Sequence, residues 1–290
     1  MVKKRSKPDW LKVRHTVGEN FREVRNIVRQ HHLHTVCEEA RCPNQSECWE
    51  HRAATFMILG DVCTRNCRFC AVAGGGPLPP DSEEPEHVAR AVELMGLKYC
   101  VITSVTRDDL EDGGAAIWAA TIRSVKRQNP GCLVEVLVPD FQKDTAAIDR
   151  VLSAVPDVFG HNLETVRNLY SVARPQADYD TSLAVLRYAS GKGALTKTGI
   201  MVGLGESREQ VKSLMRDARE AGCEVFTAGQ YLQPTHDHLP VARYVHPNEF
   251  AEYENYGRQI GFREVVAGPL VRSSYHADQL AGYIQERKHA

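Results

Sequence analysis

The chain has 290 residues, with 36 Lys and Arg against 37 Asp and Glu, a formal net charge of −1, and 42% of it is hydrophobic. That apolar content excludes a disordered chain, and the balanced charge leaves no excess of cations for general nucleic-acid binding. No run approaches about 18 apolar residues, so no membrane span is predicted, and the length suits one α/β barrel or two smaller domains.

The start is basic (Lys3, Lys4, Arg5, Lys7) but lacks the apolar stretch of a signal peptide, which predicts a cytoplasmic protein in a reducing compartment. Lys3, Lys4 and Arg5 read most simply as a solvated tail, with a docking patch for an acidic partner as the sharper alternative. A helix is predicted over 19–32, ahead of the first cysteines. Strands follow near 55–60, 99–105, 133–138, 158–161, 198–203, 224–230 and 263–267. Helical periodicity fills the gaps at 86–95, 115–128, 145–154, 165–173, 181–189, 206–221 and 249–260. Pro85, Pro130, Pro156 and Pro247 punctuate the boundaries, as do Gly96, Gly191 and Gly222. Strand–helix alternation at this pitch predicts right-handed βαβ units and a parallel sheet. The expected architecture is α/β, a partial (β/α)6 TIM-type barrel, with a doubly wound open sheet as the alternative. Its expected division is an N-terminal extension over 1–54, the barrel over 55–268, and a closing segment over 269–290.

The nine cysteines fall unevenly: Cys37, Cys42, Cys48, then Cys63, Cys67, Cys70, then Cys100, Cys132 and Cys223. The last three lie in apolar runs and are expected to be core residues. Six clustered cysteines in a reducing compartment read as metal ligands rather than disulfides. Cys63, Cys67 and Cys70 have the spacing C-x3-C-x2-C and leave one vertex of any four-ligand site open. Structural zinc closes four ligands from separated pairs, so a soft iron–sulfur cluster with an open iron fits better. Cys37, Cys42 and Cys48, spaced C-x4-C-x5-C, suggest a second cluster beside the first.

With Phe69 before its last cysteine, the C-x3-C-x2-C loop resembles the cluster loop of the radical S-adenosylmethionine enzymes. Its place directly after the first strand agrees, because barrel enzymes build their sites on loops at the carboxyl ends of strands. Cys37-Glu-Glu-Ala-Arg-Cys42-Pro-Asn, that loop, and Arg272-Ser273-Ser274-Tyr275-His276-Ala277 together resemble the lipoyl synthase family, over nearly the whole chain. The resemblance implies two [4Fe-4S] clusters and S-adenosyl-L-methionine as cofactors. It implies that Cys63, Cys67 and Cys70 hold the radical-generating cluster, and that Cys37, Cys42 and Cys48 hold an auxiliary cluster that donates sulfur. The implied reaction inserts two sulfurs at carbons 6 and 8 of a protein-bound octanoyl-lysine. Those carbons have no acidic hydrogens, so acid–base chemistry cannot reach them.

The implied partners are octanoylated lipoyl-carrier domains (dehydrogenase E2 subunits and the glycine-cleavage H protein) and an electron donor such as ferredoxin or flavodoxin. A monomer is expected. Ser273 is expected to close the auxiliary cluster, as a serine of this segment does in the resembling family, with Ser274 as its neighbour and alternative. Similarity also favours Thr103, Asn162, Glu164 and Arg174 as contacts of S-adenosylmethionine, each with helix capping or core packing as the plain alternative. His31, His32 and His34 read as solvated. His236-Asp237-His238 and Gly203-Leu204-Gly205-Glu206 are weaker candidates beside the site. A biotin-synthase-like enzyme acting on a free small molecule is a rival within the same chemistry, and a non-catalytic iron–sulfur carrier or zinc-stabilised binding protein is a rival from another class.

Overall fold

The computed structural model describes residues 7–13, 17–275 and 277–289. Lys3, Lys4, Arg5 and His276 lie outside the described residues. Seven parallel strands form the body: β1 (Thr55–Ile58), β2 (Tyr99–Ser104), β3 (Leu133–Leu137), β4 (Val158–Gly160), β5 (Thr196–Val202), β6 (Val225–Gln230) and β7 (Glu264–Gly268). They hydrogen-bond in sequence order, and six crossovers join them, which is the partial (β/α) barrel the alternation predicts. Among the described residues β7 does not pair with β1, so the sheet curls without closing. A two-residue strand, His34–Thr35, adds antiparallel to the free edge of β1.

Helix boundaries follow local chemistry. Gly96 ends Glu84–Met95 at φ 64, where a side chain would be strained, and Ser207 with Gln210 builds a capping box for Arg208–Glu220. The helix predicted over 165–173 does not form as a whole: only Arg167–Leu169 and Tyr170–Ala173 are helical, in two short pieces. The reason lies just upstream. Glu164 extends the line of β4, its N–H donating to Gly199 O at 3.0 Å and its carbonyl accepting from Met201 N at 2.8 Å. That pairing holds Glu164 at φ 65 with Thr165 N donating to Leu163 O at 2.8 Å, and Val166 is extended, so no helix starts before Arg167.

The extension is not a separate body. Val24, Ile27, Val28, Leu33 and Trp49 share one continuous core with Phe56, Val88, Val92 and Met95. Residues 270–275 cross the carboxyl ends of the strands, whereas Leu280 and Ile284 pack at the opposite end against Leu133, Val158, Leu195 and Val225. Near that floor the buried Lys197 ammonium meets the Glu135 carboxylate at 2.7 Å, and Tyr99 donates to the same carboxylate at 2.6 Å. Cys100, Cys132 and Cys223 are buried as expected of core residues. No helix among the described residues is long and apolar enough to cross a membrane.

Candidate active site

Immediately after β1 the backbone turns through Leu59 at φ 69 and Gly60 at φ 91, then enters the loop bearing Cys63, Cys67 and Cys70. Val62–Cys63 pairs with Ala73–Gly74 and closes the neck of that loop. Cys63 Sγ accepts from the backbone N–H groups of Arg65 at 3.4 Å and Thr106 at 3.3 Å. Thr64 Oγ1 donates to Thr106 O at 2.9 Å, tying the loop to the end of β2. On its far side Arg68 N donates to Ala173 O at 2.9 Å, and His238 Nε2 lies 2.7 Å from Cys70 O. His238 thus supports the loop bearing Cys63, Cys67 and Cys70, which its sequence context only hinted at.

These thiols crowd one another. Burial pushes Cys70 up to about 12, with Cys67 and Cys63 adding to the rise. Burial also raises Cys67, opposed by the Arg174 guanidinium beside it. Cys67 and Cys70 become thiolates together only with a cationic partner. A multi-iron cluster would supply that positive charge. Backbone N–H groups aimed at sulfur are also what such a cluster uses.

The second group sits beside the barrel mouth. Thr35 caps the short helix Val36–Glu39 by accepting from Glu38 N at 3.3 Å, and Cys42 N donates to Cys37 O at 3.1 Å. Cys48 follows in Gln45–Glu50. Burial pushes Cys37 up to about 11, with Cys42 adding, and pushes Cys48 up to about 12, with Cys37 and Cys42 adding. The sequence-distant segment 270–275 closes over this group. Asn44 Nδ2 donates to Leu270 O at 2.7 Å, and Tyr275 Oη donates to Glu47 Oε1 at 3.0 Å. Burial lowers the pKa of Arg272, while Cys42 nearby supports its charge. Gly229 permits this crossing, because a Cβ there would run into the Val271 carbonyl.

Between the two cysteine groups, Asn162 Nδ2 donates to Glu164 Oε1 at 3.1 Å and to Ser273 Oγ at 3.2 Å. Glu164 is raised by burial, against the lowering effect of Arg174. Arg174 donates to Asn162 O at 3.2 Å and Tyr170 Oη at 3.0 Å. Asn162, Glu164 and Arg174 therefore form one polar group next to Cys67. Thr103 stands apart from it, its hydroxyl donating to Leu137 O at 2.8 Å. Glu206 accepts from Gly203 N at 2.7 Å and Leu204 N at 2.9 Å, so its carboxylate fastens its own turn.

Sequence reasoning missed an ionic group at the first cysteine loop, in which Arg65 and Asp140 are buried and Asp108 is exposed. It also missed His161, whose Nδ1 faces Val138 O at 2.8 Å and which burial pushes down to about 4, leaving it neutral. An arginine inside the cysteine spacing and an aspartate after a strand were the available signals.

The profile of the radical SAM superfamily matches residues 57–218. The S-adenosylmethionine-bound SuiB of Streptococcus suis superposes with a TM-score of 0.60 at 12% identity, covering 87% of this chain and 56% of that one. Methylornithine synthase superposes with a TM-score of 0.51 at 13% identity, covering 80% of each chain. At such identities these two likenesses are of fold alone. The chain belongs to the radical S-adenosylmethionine superfamily. Residues 2–42 match the N-terminal domain of lipoyl synthase, and the lipoyl synthases of Rubrobacter xylanophilus and Methylococcus capsulatus are 58% and 54% identical over 275 and 281 residues. Those alignments cover 94% and 96% of this chain and 86% and 87% of theirs. It is a member of the lipoyl synthase family.

Proposed function

We propose that Cys63, Cys67 and Cys70 hold the radical-generating [4Fe-4S] cluster, and that Cys37, Cys42, Cys48 and a serine of the C-terminal segment hold the auxiliary one. The activity is that of the family, insertion of two sulfurs at carbons 6 and 8 of a protein-bound octanoyl-lysine. When bound, the first cluster and S-adenosylmethionine supply the radical that takes hydrogen from those carbons, and the second cluster supplies sulfur. The observation that carries the reading is the pair of crowded thiol groups at one barrel mouth, joined by residues 270–275 through Asn44, Glu47 and Asn162.

In this assignment Asn162, Glu164 and Arg174 contact S-adenosylmethionine. Glu164 and Asn162 offer acceptors for its amino and ribose groups, and Arg174 a cation for its carboxylate. Thr103 is the fourth contact, once its hydroxyl turns from Leu137 O. Buried Arg174, next to Cys67, also offsets thiolate charge. The fourth ligand of the auxiliary cluster is Ser273. A second assignment, Ser274, is favoured by the Asn162 bond that already engages the Ser273 hydroxyl. The working parts are residues 1–54, 55–268 and 269–290.

The substrate arrives on octanoylated carrier domains, dehydrogenase E2 subunits and the glycine-cleavage H protein. A ferredoxin or flavodoxin supplies electrons to a cytoplasmic monomer. The test is anaerobic reconstitution with iron and sulfide, followed by mass analysis of an octanoylated carrier. A mass gain of two sulfurs on the carrier is expected. Equal turnover of free octanoate overturns the carrier reading and favours an enzyme of free small molecules.

A further inference from the structure

We propose that Arg65, gripped by Asp108 and Asp140, is the positioning residue of the radical-generating cluster, and that this triad's surplus negative charge sets how readily the cluster is reduced. The proposal rests on assigning the Cys63 loop to that cluster. Arg65 lies midway between Cys63 and Cys67 in sequence, and its side chain is 5% exposed. Its Nε and Nη2 donate to the two oxygens of Asp108 at 2.7 and 3.0 Å. Its Nη1 and Nη2 donate to the two oxygens of Asp140 at 2.6 and 2.7 Å. Two carboxylate forks on one planar guanidinium fix both its position and its orientation, which an ammonium cannot reproduce. The Arg65 backbone N–H donates to Cys63 Sγ, so the residue that is clamped also touches the ligand.

Asp140 is presented by an unusual backbone. Phe141, Gln142 and Lys143 have φ of 45, 51 and 67°, three successive non-glycine residues in the left-handed region. Each is disfavoured for an L-residue, and such strain persists only where surroundings over-determine it. Here they do. Gln142 N donates to Asp140 Oδ1 at 3.0 Å, and Gln142 Nε2 donates to Asp108 Oδ1 at 3.1 Å. The Phe141 ring is buried against Gly113, where a Cβ would come within 2.9 Å of it. A connection that only joined β3 to the next helix would need none of this.

The charge is equally specific. One guanidinium faces two carboxylates, Asp140 with a side chain 3% exposed and Asp108 with one 30% exposed, so the triad itself carries one net negative charge, with Arg174 the further cation that acts on Asp140. In a low-dielectric setting, a fixed negative charge near a cluster opposes the arrival of an electron.

The test separates charge from geometry. In a chain also carrying Cys37→Ala, Cys42→Ala and Cys48→Ala, one cluster remains and its reduction potential is read by a redox titration followed by electron paramagnetic resonance. Asp140→Asn removes a charge at nearly constant shape, and the potential is expected to move upward relative to the same background. Arg65→Lys keeps the charge and loses the forks. There the potential is expected to stay, while kcat/KM for S-adenosylmethionine cleavage falls by about tenfold or more. An unmoved potential in Asp140→Asn, or normal cleavage in Arg65→Lys, overturns the proposal. Should Asp140→Asn fail to fold, Asp108→Asn at the more exposed partner gives the same reading with a smaller upward shift, and no shift there overturns the proposal. In the same background, without Cys37, Cys42 and Cys48, replacing Cys63, Cys67 and Cys70 by Ala as well checks the underlying assignment separately. Iron retained in that variant defeats the assignment, whereas iron lost with the Asp140→Asn potential unmoved defeats the clamp alone.

Discussion

Asn162 Nδ2 lies 3.2 Å from Ser273 Oγ and 3.1 Å from Glu164 Oε1, so a single amide joins the C-terminal segment to the polar group beside Cys67. The two residues are 111 apart in sequence. Their meeting follows from the crossing of residues 270–275 over the strand ends, which Gly229 allows. One consequence is that the segment closing over Cys37, Cys42 and Cys48 is hydrogen-bonded to the polar group beside Cys67.

Two separate thiol groups imply two clusters, about eight irons per chain. Replacing Cys63, Cys67 and Cys70 by Ala is expected to leave about half the iron and to abolish S-adenosylmethionine cleavage. Replacing Cys37, Cys42 and Cys48 is expected to keep cleavage and lose sulfur insertion. Iron analysis and 5′-deoxyadenosine assay check both. Lipoyl product from the second variant would reverse the assigned roles.

The raised thiols make cluster assembly pH-dependent. Burial pushes Cys37 up to about 11 and Cys48 and Cys70 up to about 12, which keeps all three protonated near neutrality without metal. Binding iron must expel those protons, so iron affinity rises with pH and assembly acidifies a weakly buffered solution. Iron uptake is expected to increase between about pH 7 and pH 9. Uptake independent of pH across that interval would mean the thiols are already ionised.

The sheet was legible because buried parallel strands read as apolar runs separated by helical periodicity, and all seven strands fall within a residue or two of expectation. Cys63, Cys67 and Cys70 were legible for another reason: a spacing local enough to wrap one object needs no tertiary information. The clamp was not. Asp108 and Asp140 are separated from Arg65 by 43 and 75 residues, and single aspartates after strands look like ordinary caps. The helix expected over 165–173 failed because Glu164 pairs with β5, a tertiary bond that periodicity cannot register. Asn162 and Ser273 were each candidates, but their contact depends on a glycine in β6.

Lys197 and Glu135 supply a stability test remote from the site. Their buried pair sits toward the barrel floor, with side chains 4% and 2% exposed. Glu135→Gln leaves the ammonium without its counter-charge, and breaking one side of a buried pair costs about 3–5 kcal/mol. A lowered thermal midpoint is expected, with the iron content of the folded fraction unchanged. A midpoint equal to that of the parent chain would show that water or a neighbouring group compensates the lysine.

The fourth ligand of the auxiliary cluster can be read from two serines. Three cysteines leave one iron open, and the remaining cysteines are buried in the core. Segment 270–275 is held over this site by Asn44 and Glu47, with Arg272 beside Cys42. Ser273 and Ser274 lie between Arg272 and Tyr275 in that segment. Ser273 is the proposed ligand, and its hydroxyl must leave Asn162 to serve. Ser274 does not bond to Asn162 among the described residues, so it could take the role without leaving that amide. A serine oxygen is a harder donor than a thiolate and holds iron less firmly, which suits a cluster that must be dismantled to release sulfur. Replacing the true ligand by Ala is expected to lower auxiliary iron and sulfur insertion while S-adenosylmethionine cleavage continues. Replacing it by Cys is expected to retain the iron and slow sulfur release, because the softer donor grips harder. Loss on Ser273→Ala assigns Ser273, and loss on Ser274→Ala alone assigns Ser274. Normal iron and normal insertion in both alanine variants would show that no serine closes the site.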